Sequence, residues 1–476
     1  MSKNAMKKTL YNVIVCALAG LTMTSCAVFK NYHREKVVGE VQTDGIYGDA
    51  QSGDSLGLGD LSWRELFTDP TLQTLIEKAL VQNTDVRNTD LQIQQVQYAL
   101  KASKLAFIPS ISFSANGAIS KTYDPYNRRD VREAFADNTK VYGATLTMGW
   151  QNVNFFALRN QLKGAQVSLE QIKTARQAVQ AGLVANVAKL YYTICQLDEQ
   201  IVFMQQTVDN WKTYWEMQKR LMEAGQANIA AVSSVEATYW SMVGTLDELV
   251  DDRTITQTAL CTLLGEPSHF IEHTTLASFQ APALITTGAP ISILSRRPDV
   301  KQAELKLAEA FYDKQEAGAA FYPSLSLSAS GSFTNSTGLG IVNPGVMIGE
   351  AVASLMQPIF QGGALRARYK IAKADIEIAK NDFVQSVVAA GNEVNTAMLE
   401  VRCAEEHRIY YGHEADANQI AYDATRRLYE NSSLNYLNVI TAHNALIQSR
   451  MAQIGNRMDA VEATIELYLA LGGGAK

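Results

Sequence analysis

The residue types that most often catalyse reactions or bind metals are scattered along this chain of 476 residues. Cys195, Cys261 and Cys403 lie far apart in apolar helical stretches without a CxxC pair, which favours buried free thiols over disulfides or metal ligands. Isolated Ser and Asp residues lack the context of a catalytic nucleophile. The histidines show neither HExxH nor other metal-site spacing; they are His33, His269, His273, His407, His413 and His443. We therefore expect no enzyme activity, no cofactor and no metal.

Cys26 is the one cysteine whose setting predicts a modification. Three lysines precede an apolar run over residues 10–21, and Met-Thr-Ser at positions 23–25 stands directly before Cys26. This order is typical of an export signal, here residues 1–25. It resembles a bacterial lipoprotein signal, with Met23 where Leu is usual, so the mature chain would begin at a Cys26 that carries lipid such as palmitate. An ordinary secretory signal peptide is the alternative.

The charge and hydropathy of the mature chain exclude two classes of protein. Residues 1–25 contain three lysines and no acidic residue, so their removal changes the formal net charge from −6 to −9. A chain this acidic has no electrostatic footprint for nucleic acid. No later window approaches ~18 consecutive apolar residues, which argues against a transmembrane helix after the signal.

Two long proline-free blocks indicate long helices. The chain has 10 prolines, and none lies between Tyr126 and Glu266 or after Pro358. Because proline breaks helix interiors, its absence over such lengths favours uninterrupted helices and argues against a loop-rich β protein.

The chain contains one structural unit twice. Residues 83–117 match residues 297–331 without a gap at an offset of 214, and a second set of matches appears at an offset of 207, such as Leu264-Gly265 with Leu471-Gly472. An internal repeat of roughly 210 residues means that the same fold is used twice.

Within each repeat the order of predicted elements is the same. A helix stops before a proline, Pro109 or Pro323, and two strands, a long helix and a return helix follow. The long helices would measure ~100 Å at ~1.5 Å per residue. The predicted elements are a first helix at 84–106 and 298–320, a hairpin at about 108–150 and 322–358, a long helix at 157–224 and 364–431, and a return helix at 227–264 and 434–471.

The predicted strands alternate apolar residues with serine. Ile111 and Phe113 alternate with serines in the first hairpin, as Leu325 and Leu327 do in the second. Strands of ~10 to 12 residues with one apolar face suit a membrane-spanning β segment, although a soluble hairpin packed on a core remains the alternative. In a membrane every strand edge must be paired, and four strands are fewer than the ~8 of the smallest barrels. Closure would therefore require several chains.

Short motifs at the element boundaries resemble those of the outer-membrane efflux protein family, the TolC-like channels, and most closely its lipid-anchored OprM/NodT group. The resemblance covers essentially the whole mature chain. It departs from the family after Trp150, where Asn154-Phe155-Phe156-Ala157 stands in place of an Asp, an apolar residue, Phe and Gly. The motifs are Ser295-Arg296-Arg297-Pro298-Asp299-Val300, Phe321-Tyr322-Pro323, Gln357-Pro358-Ile359-Phe360-Gln361-Gly362-Gly363, and Trp63 with Leu66-Phe67 and Asp69-Pro70.

This resemblance implies a mainly α fold with membrane β. Long antiparallel helical hairpins of a homotrimer would form a periplasmic α-barrel, and four strands per chain would contribute to a shared trimeric transmembrane β-barrel. Family members are exit ducts in the outer membrane for drugs, metals or proteins, and they dock to a periplasmic membrane-fusion adaptor and an inner-membrane pump. The implied division is 1–25 signal peptide, 26–62 N-terminal anchor and collar segment, 63–265 first repeat, 266–294 collar linker and 295–476 second repeat.

The helix breaks after residues 224 and 430 would be the periplasmic tips. By position, Tyr429 matches the gating tyrosine of related channels, whereas Asn438 and Thr441 stand where related channels carry an acidic ring. An acid ring that selects cations is therefore in doubt there. Candidates for adaptor contact or aperture pairing are Arg220, Glu223, Arg427 and Glu430, and candidates for the turns are Gly225, Asn431 and Ser432. Solvated helix-end charges of little energetic weight are the alternative for the four charged residues.

A protein of another class could also use such long helical hairpins. An envelope coiled-coil scaffold or adhesin without pore activity would need the helices but not a conducting channel, and pore conductance would distinguish the two.

Overall fold

The computed structural model describes residues 32, 61–120, 139–279, 296–334, 347–430 and 436–474. Cys26, Asn431 and Ser432 lie outside these residues, as does most of the 26–62 segment. The described residues form α1 (Trp63–Leu66), α2 (Pro70–Gln82), α3 (Thr84–Leu105), β1 (Ser110–Ser120), β2 (Thr139–Val153), α4 (Phe155–Glu223), α5 (Ile229–Leu264), a 3-10 turn (Leu276–Ser278), α6 (Pro298–Ala319), β3 (Ser324–Thr334), β4 (Met347–Met356), α7 (Ala364–Glu430) and α8 (Tyr436–Ala470).

Long helices and four strands confirm the predicted fold class. α4 has 69 residues and α7 has 67, and neither contains proline.

The chain separates into two compact units: one includes Gln95–Glu170 and Leu305–Asn381, and the other includes Gln171–Glu304 and Asp382–Lys476. The sheet belongs to the first unit, which we call the sheet unit; we call the other the helical unit.

α4 begins at Phe155, two residues before the predicted start, because Asn154 caps it. The Asn154 side-chain oxygen accepts hydrogen bonds from the backbone N–H groups of Phe156 (3.0 Å) and Ala157 (3.1 Å). Its amide also donates to the carbonyl of Ala319 at 2.7 Å, the last residue of α6. One asparagine thus fixes the start of a long helix against the end of another.

The two repeats close their helical junctions in the same way. Asn83 donates from its side-chain amide to the carbonyl of Leu263 (3.1 Å), and Arg297 donates from Nη1 to the carbonyl of Ala470 (3.0 Å). The donors are related by the offset of 214 and the acceptors by the offset of 207. Each bond satisfies a carbonyl in the last turn of a return helix, a group with no partner inside its own helix.

Arg297 explains the Arg-Pro-Asp motif physically. Its guanidinium holds both carboxylate oxygens of Asp299 (3.0 and 2.8 Å) and also contacts Glu393 on α7. Burial alone would raise the pKa of Asp299, but the hydrogen bonds and charge of Arg297 hold that pKa below its ordinary value. Pro298 is the first residue of α6, where proline is well tolerated. The motif therefore joins α6, α7 and α8.

The sheet is antiparallel throughout, in the order β1-β2-β3-β4. β2 and β3 pair although they come from different repeats, with Met148 opposite Ala329 and Trp150 opposite Leu327. At Gly149 an added Cβ would lie 2.1 Å from the carbonyl oxygen of Leu327, so the two hairpins approach too closely there for any side chain.

The helical unit has an apolar core around the family motif that contains Trp63, Leu66 and Phe67. Trp63, Leu72 and Ile76 pack with Tyr191 of α4 and Tyr468 of α8. Asp69, which precedes Pro70, is the N-cap of α2. Its carboxylate also accepts a hydrogen bond of 2.7 Å from the Tyr191 hydroxyl. Trp63 and Asp69 thus have structural roles.

The thiols differ in burial. Cys195 and Cys261 are buried as expected, and burial together with the nearby Asp69 charge raises the pKa of Cys195 to about 12. Cys403 is only half-buried, so the expectation of a buried thiol is wrong there, because residue 403 sits beside rather than on the packed stripe formed by Val401 and Ala404. In the described ranges no three His, Cys, Asp or Glu side chains are arranged to hold a metal ion.

None of the helices in the described part of the chain is long and apolar enough to cross a membrane.

Candidate functional sites in the sheet and at the helix ends

One face of the sheet is apolar across all four strands. The register places Ile111 opposite Met148 and Phe113 opposite Leu146, and the same match continues through β3 to β4, where Leu325 is opposite Leu355. We call this the apolar face; it comprises Ile111, Phe113, Ala115, Gly117, Ile119, Tyr142, Ala144, Leu146, Met148, Trp150, Leu325, Leu327, Ala329, Gly331, Phe333, Gly349, Ala351, Ala353 and Leu355.

The other face consists mostly of serine and threonine. Because side chains alternate along a strand, every residue between the apolar ones points to this second side. We call it the hydroxyl face; it carries Ser110, Ser112, Ser114, Thr145, Thr147, Ser324, Ser326, Ser328, Ser330, Ser332 and Ser354, with Asn116, Ala118, Gly143, Gly149, Glu350, Val352 and Met356. β4 is the least polar of the four strands on this side.

The apolar face is uncovered in the single chain. Phe113 is 71% exposed, Ile111 67% and Leu355 66%. Monomeric soluble proteins rarely expose so large a contiguous apolar surface. In the described residues β1 and β4 each pair with only one strand, so both outer edges of the sheet also lack a partner. The sheet therefore requires both an apolar environment and further strands.

Aromatic side chains mark both ends of this face. Near the helix end, the rings of Trp150 and Phe155 meet edge to face with centroids 6.3 Å apart. Toward the other end, the Tyr142 ring covers Gly117, where an added Cβ would lie 3.6 Å from it. Aromatic residues at both borders of an apolar band are typical of strands that cross a bilayer.

In the helical unit, the end of α4 carries Gly225 and two of the predicted charged residues. Gly225 has φ 74°, the left-handed conformation that its glycine identity predicts, and its N–H donates to the carbonyl of Met222. Arg220 and Glu223 are exposed on the last turn of α4. The structure does not pair them with each other in the described residues.

Tyr429 connects the second repeat to the first. Its hydroxyl accepts a hydrogen bond of 2.7 Å from the side-chain amide of Gln218, which is 2% exposed. Its ring meets Tyr436 edge to face at 5.4 Å, near the start of α8. Arg427 is exposed on the same last turn of α7, which ends at Glu430.

Around this bond lies an aromatic cluster that the sequence analysis missed. His443 is sandwiched between Trp211 (centroids 5.4 Å apart) and Tyr422 (4.4 Å), with interplanar angles of 19° and 21°. Tyr214 and Tyr422 lie with their hydroxyl oxygens 3.3 Å apart. Spacing could have found the cluster, because Trp211 and Gln218, Tyr422 and Tyr429, and Tyr436 and His443 are each seven residues apart, which places each pair on one helix face.

The histidine of this cluster is uncharged near neutral pH. Burial lowers the pKa of His443 to about 4. Within the described residues its Nδ1 and the Oη of Tyr436 are buried without hydrogen-bond partners. A neutral imidazole stacked between two rings therefore packs as an aromatic side chain.

The model of the family described as "Outer membrane efflux protein" matches residues 75–266 and 289–473, most of the chain and both repeats. The chain belongs to the outer membrane efflux protein family. As a member it is a channel of the outer membrane, and its long helices are the periplasmic extension. This confirms the family resemblance of the motifs.

Similar proteins span nearly the same length. The chain is 29% identical to the toluene efflux pump outer membrane protein TtgC of Pseudomonas putida, over 97% of this chain and 96% of that protein. It is 24% identical to the cation efflux system protein CusC of Escherichia coli, over 95% and 97%. The open-state structure of the MtrE outer membrane channel of Neisseria gonorrhoeae superposes with a TM-score of 0.78 at 23% identity, covering 90% of this chain and 95% of that one.

In this outer membrane efflux protein the two positions expected for an acidic ring are exposed. Asn438 and Thr441 lie three residues apart on one face of α8, opposite the buried Val439 and Ile440. The Thr441 hydroxyl donates to the carbonyl of Leu437 at 3.0 Å. Both side chains are accessible, and neither carries charge.

Proposed function

We propose that this protein is the exit duct of a tripartite efflux system, passively conducting drugs or other small molecules once docked to a periplasmic adaptor and an inner-membrane pump. The observation that carries the proposal is the segregation of the sheet into an apolar face and a hydroxyl face. Such a sheet suits a barrel wall with lipid outside and water inside.

Three chains would complete the barrel. Four strands with two open edges cannot stand alone in hydrocarbon, because each unpaired backbone group there costs several kcal/mol. Three copies supply twelve strands, and β4 of each chain would pair with β1 of the next. The toluene and cation efflux proteins named above carry different cargo, although each is similarly identical in sequence to this chain. We therefore propose that the pump determines the cargo of this duct.

The helix ends would form the gated aperture. The bond from Gln218 to Tyr429 ties α7 to α4 within one chain, and breaking it would free the second hairpin to move outward. Arg220, Glu223, Arg427 and Glu430 would contact the adaptor, with Gly225, Asn431 and Ser432 forming the turns and Asn438 and Thr441 lining a neutral aperture. Residues 26–62 and 266–294 would form the collar, with lipid on Cys26, no other cofactor and no enzyme activity.

Reconstitution tests this function directly. The purified mature protein, placed in planar bilayers, should give discrete channel openings, either as wild type or in a Tyr429→Phe, Gln218→Leu background that loosens the aperture. Its mass in detergent should equal three chains. A protein that gives no openings in either background would instead be the envelope scaffold or adhesin, which needs the long helices but no pore.

A further inference from the structure

Glu350 is an isolated charge on the hydroxyl face. Among the residues of the four strands only Lys140 and Glu350 are charged. Lys140 stands opposite Ile119, at a register position of the apolar series, whereas Glu350 stands opposite Ser330. Glu350 is therefore the single charged residue of the hydroxyl face in the described strands.

The cross-strand neighbours of Glu350 are polar across the sheet, although Val352 lies beside it on β4. Ser330 pairs in turn with Thr147, and Thr147 pairs with Ser112, so Glu350 ends a cross-strand row of three hydroxyl residues. Glu350 is exposed. The described strands bring no basic residue to the same face, so the carboxylate has no opposing charge there.

A carboxylate at this register position must face water. Turning it toward hydrocarbon would desolvate a lone charge, whereas the hydroxyl face offers hydration and serine partners. Resting on the proposed trimeric duct, we propose that Glu350 is an ion-selectivity residue: three copies form a carboxylate ring inside the barrel that favours cations. Rings of acidic side chains are a general means of cation selection in pores.

The physical setting determines how strong the effect is. The carboxylates face a wet lumen, so their field is screened over about 10 Å at 0.1 M salt and about 3 Å at 1 M salt. Cation preference due to Glu350 should therefore be clear at low ionic strength and largely lost at high ionic strength.

Reversal potentials in a KCl gradient measure this preference. For full-length channels in planar bilayers at about 0.1 M salt, Glu350→Gln should lower the ratio of K⁺ to Cl⁻ permeability about two-fold or more, and Glu350→Lys should shift it further toward Cl⁻. Glu350→Asp, which keeps the charge, should preserve the ratio. At about 1 M salt the variants should converge.

A relocated charge separates selectivity from a structural effect. Glu350→Gln combined with Ser330→Glu returns a carboxylate to the same cross-strand row and should restore the cation preference. Unchanged reversal potentials in Glu350→Gln and Glu350→Lys channels that still conduct would overturn this inference and leave the duct intact. Channels that never open, in wild type or with a loosened aperture, would overturn the proposed function and this inference together.

Discussion

Tyr429 and Gln218 form a side-chain hydrogen bond that joins the two long helices α7 and α4. Gln218 is buried, so loss of its acceptor leaves an amide without its hydrogen-bond partner in a buried aromatic cluster. The cost of such an orphaned group is about 1–3 kcal/mol. If the helix ends form the proposed aperture, the Gln218–Tyr429 bond is the contact whose loss should most readily release α7 from α4.

We expect Tyr429→Phe to lower the thermal midpoint in detergent and to raise the open probability in bilayers. Adding Gln218→Leu should recover part of the stability, because the orphaned amide is then removed, while the channel stays more open. Tyr410→Phe is the matched control, since Tyr410 is exposed on the same helix and should change neither quantity. Equal effects from Tyr410→Phe and Tyr429→Phe would contradict the assignment of Tyr429 to the aperture.

His443 predicts a specific dependence of stability on pH. Its pKa is lowered from 6.5 to about 4 in the folded chain, so between these pH values the unfolded chain binds more protons. Stability should therefore fall as the pH drops through this window, by up to about 3 kcal/mol at ~1.4 kcal/mol per pKa unit. Asp69 and Asp299 have lowered pKa values, so their stabilising contributions are lost at still more acidic pH.

Substitution isolates the histidine from the carboxylates. His443→Phe keeps a ring between Trp211 and Tyr422 but cannot titrate, so its thermal midpoint should change less between pH 6.5 and pH 4 than that of the wild type. Parallel pH profiles for the two proteins would show that other groups cause the acid sensitivity.

Elements in this protein are joined by capping residues at repeat-equivalent positions. Asn83 and Arg297 both bind the last turn of a return helix, but only Arg297 also forms charged bonds to a neighbouring long helix. The repeat thus conserves the junction geometry while the second copy adds an ionic connection.

We expect Arg297→Ala to destabilise the fold by about 2 kcal/mol and Asn83→Ala by about 1 kcal/mol, from the loss of charged and neutral hydrogen bonds respectively. Arg402→Ala serves as the control: Arg402 lies 3.9 Å from Glu406 on the surface of α7, and such exposed pairs contribute little. Thermal midpoints of the three variants would test this order. A loss from Arg402→Ala as large as that from Arg297→Ala would refute it.

The whole molecule is incomplete as a single chain. Within the described residues its sheet exposes an apolar face and two edges without a partner strand, so we expect assembly and membrane insertion to be coupled. A lysine introduced on the apolar face would be present in every chain of the oligomer. Near the bilayer midplane, each such lysine facing lipid costs about 2–4 kcal/mol.

Adjacent residues of β1 test this view. Phe113→Lys should sharply reduce the membrane-embedded oligomer, whereas Ser112→Lys, one residue away on the hydroxyl face, should leave assembly intact. Native gels and sedimentation of outer-membrane extracts would compare the two. Similar losses from both substitutions would show that the apolar face is not the lipid-facing side.

The sequence alone determined the local features of this protein. Proline-free blocks, period-two alternation and a self-match at offsets of 214 and 207 predicted long helices, four strands and a duplicated fold, because each can be read from the order of residues without knowing which of them are in contact. Even a degenerate motif kept its role, since Asn154 caps α4 where an aspartate is usual.

Only the tertiary structure decided which distant residues meet. The pairing of β2 with β3, the bond from Gln218 to Tyr429 and the stacking of Trp211 on His443 join segments that are about 170 to 230 residues apart. Local periodicity carries no information about such partners. The sequence also does not reveal the register in which neighbouring strands pair. This matters because a shift of one residue exchanges the two faces of a strand. The sequence therefore predicted an apolar strand face, while the structure placed Glu350 on the opposite, hydroxyl side.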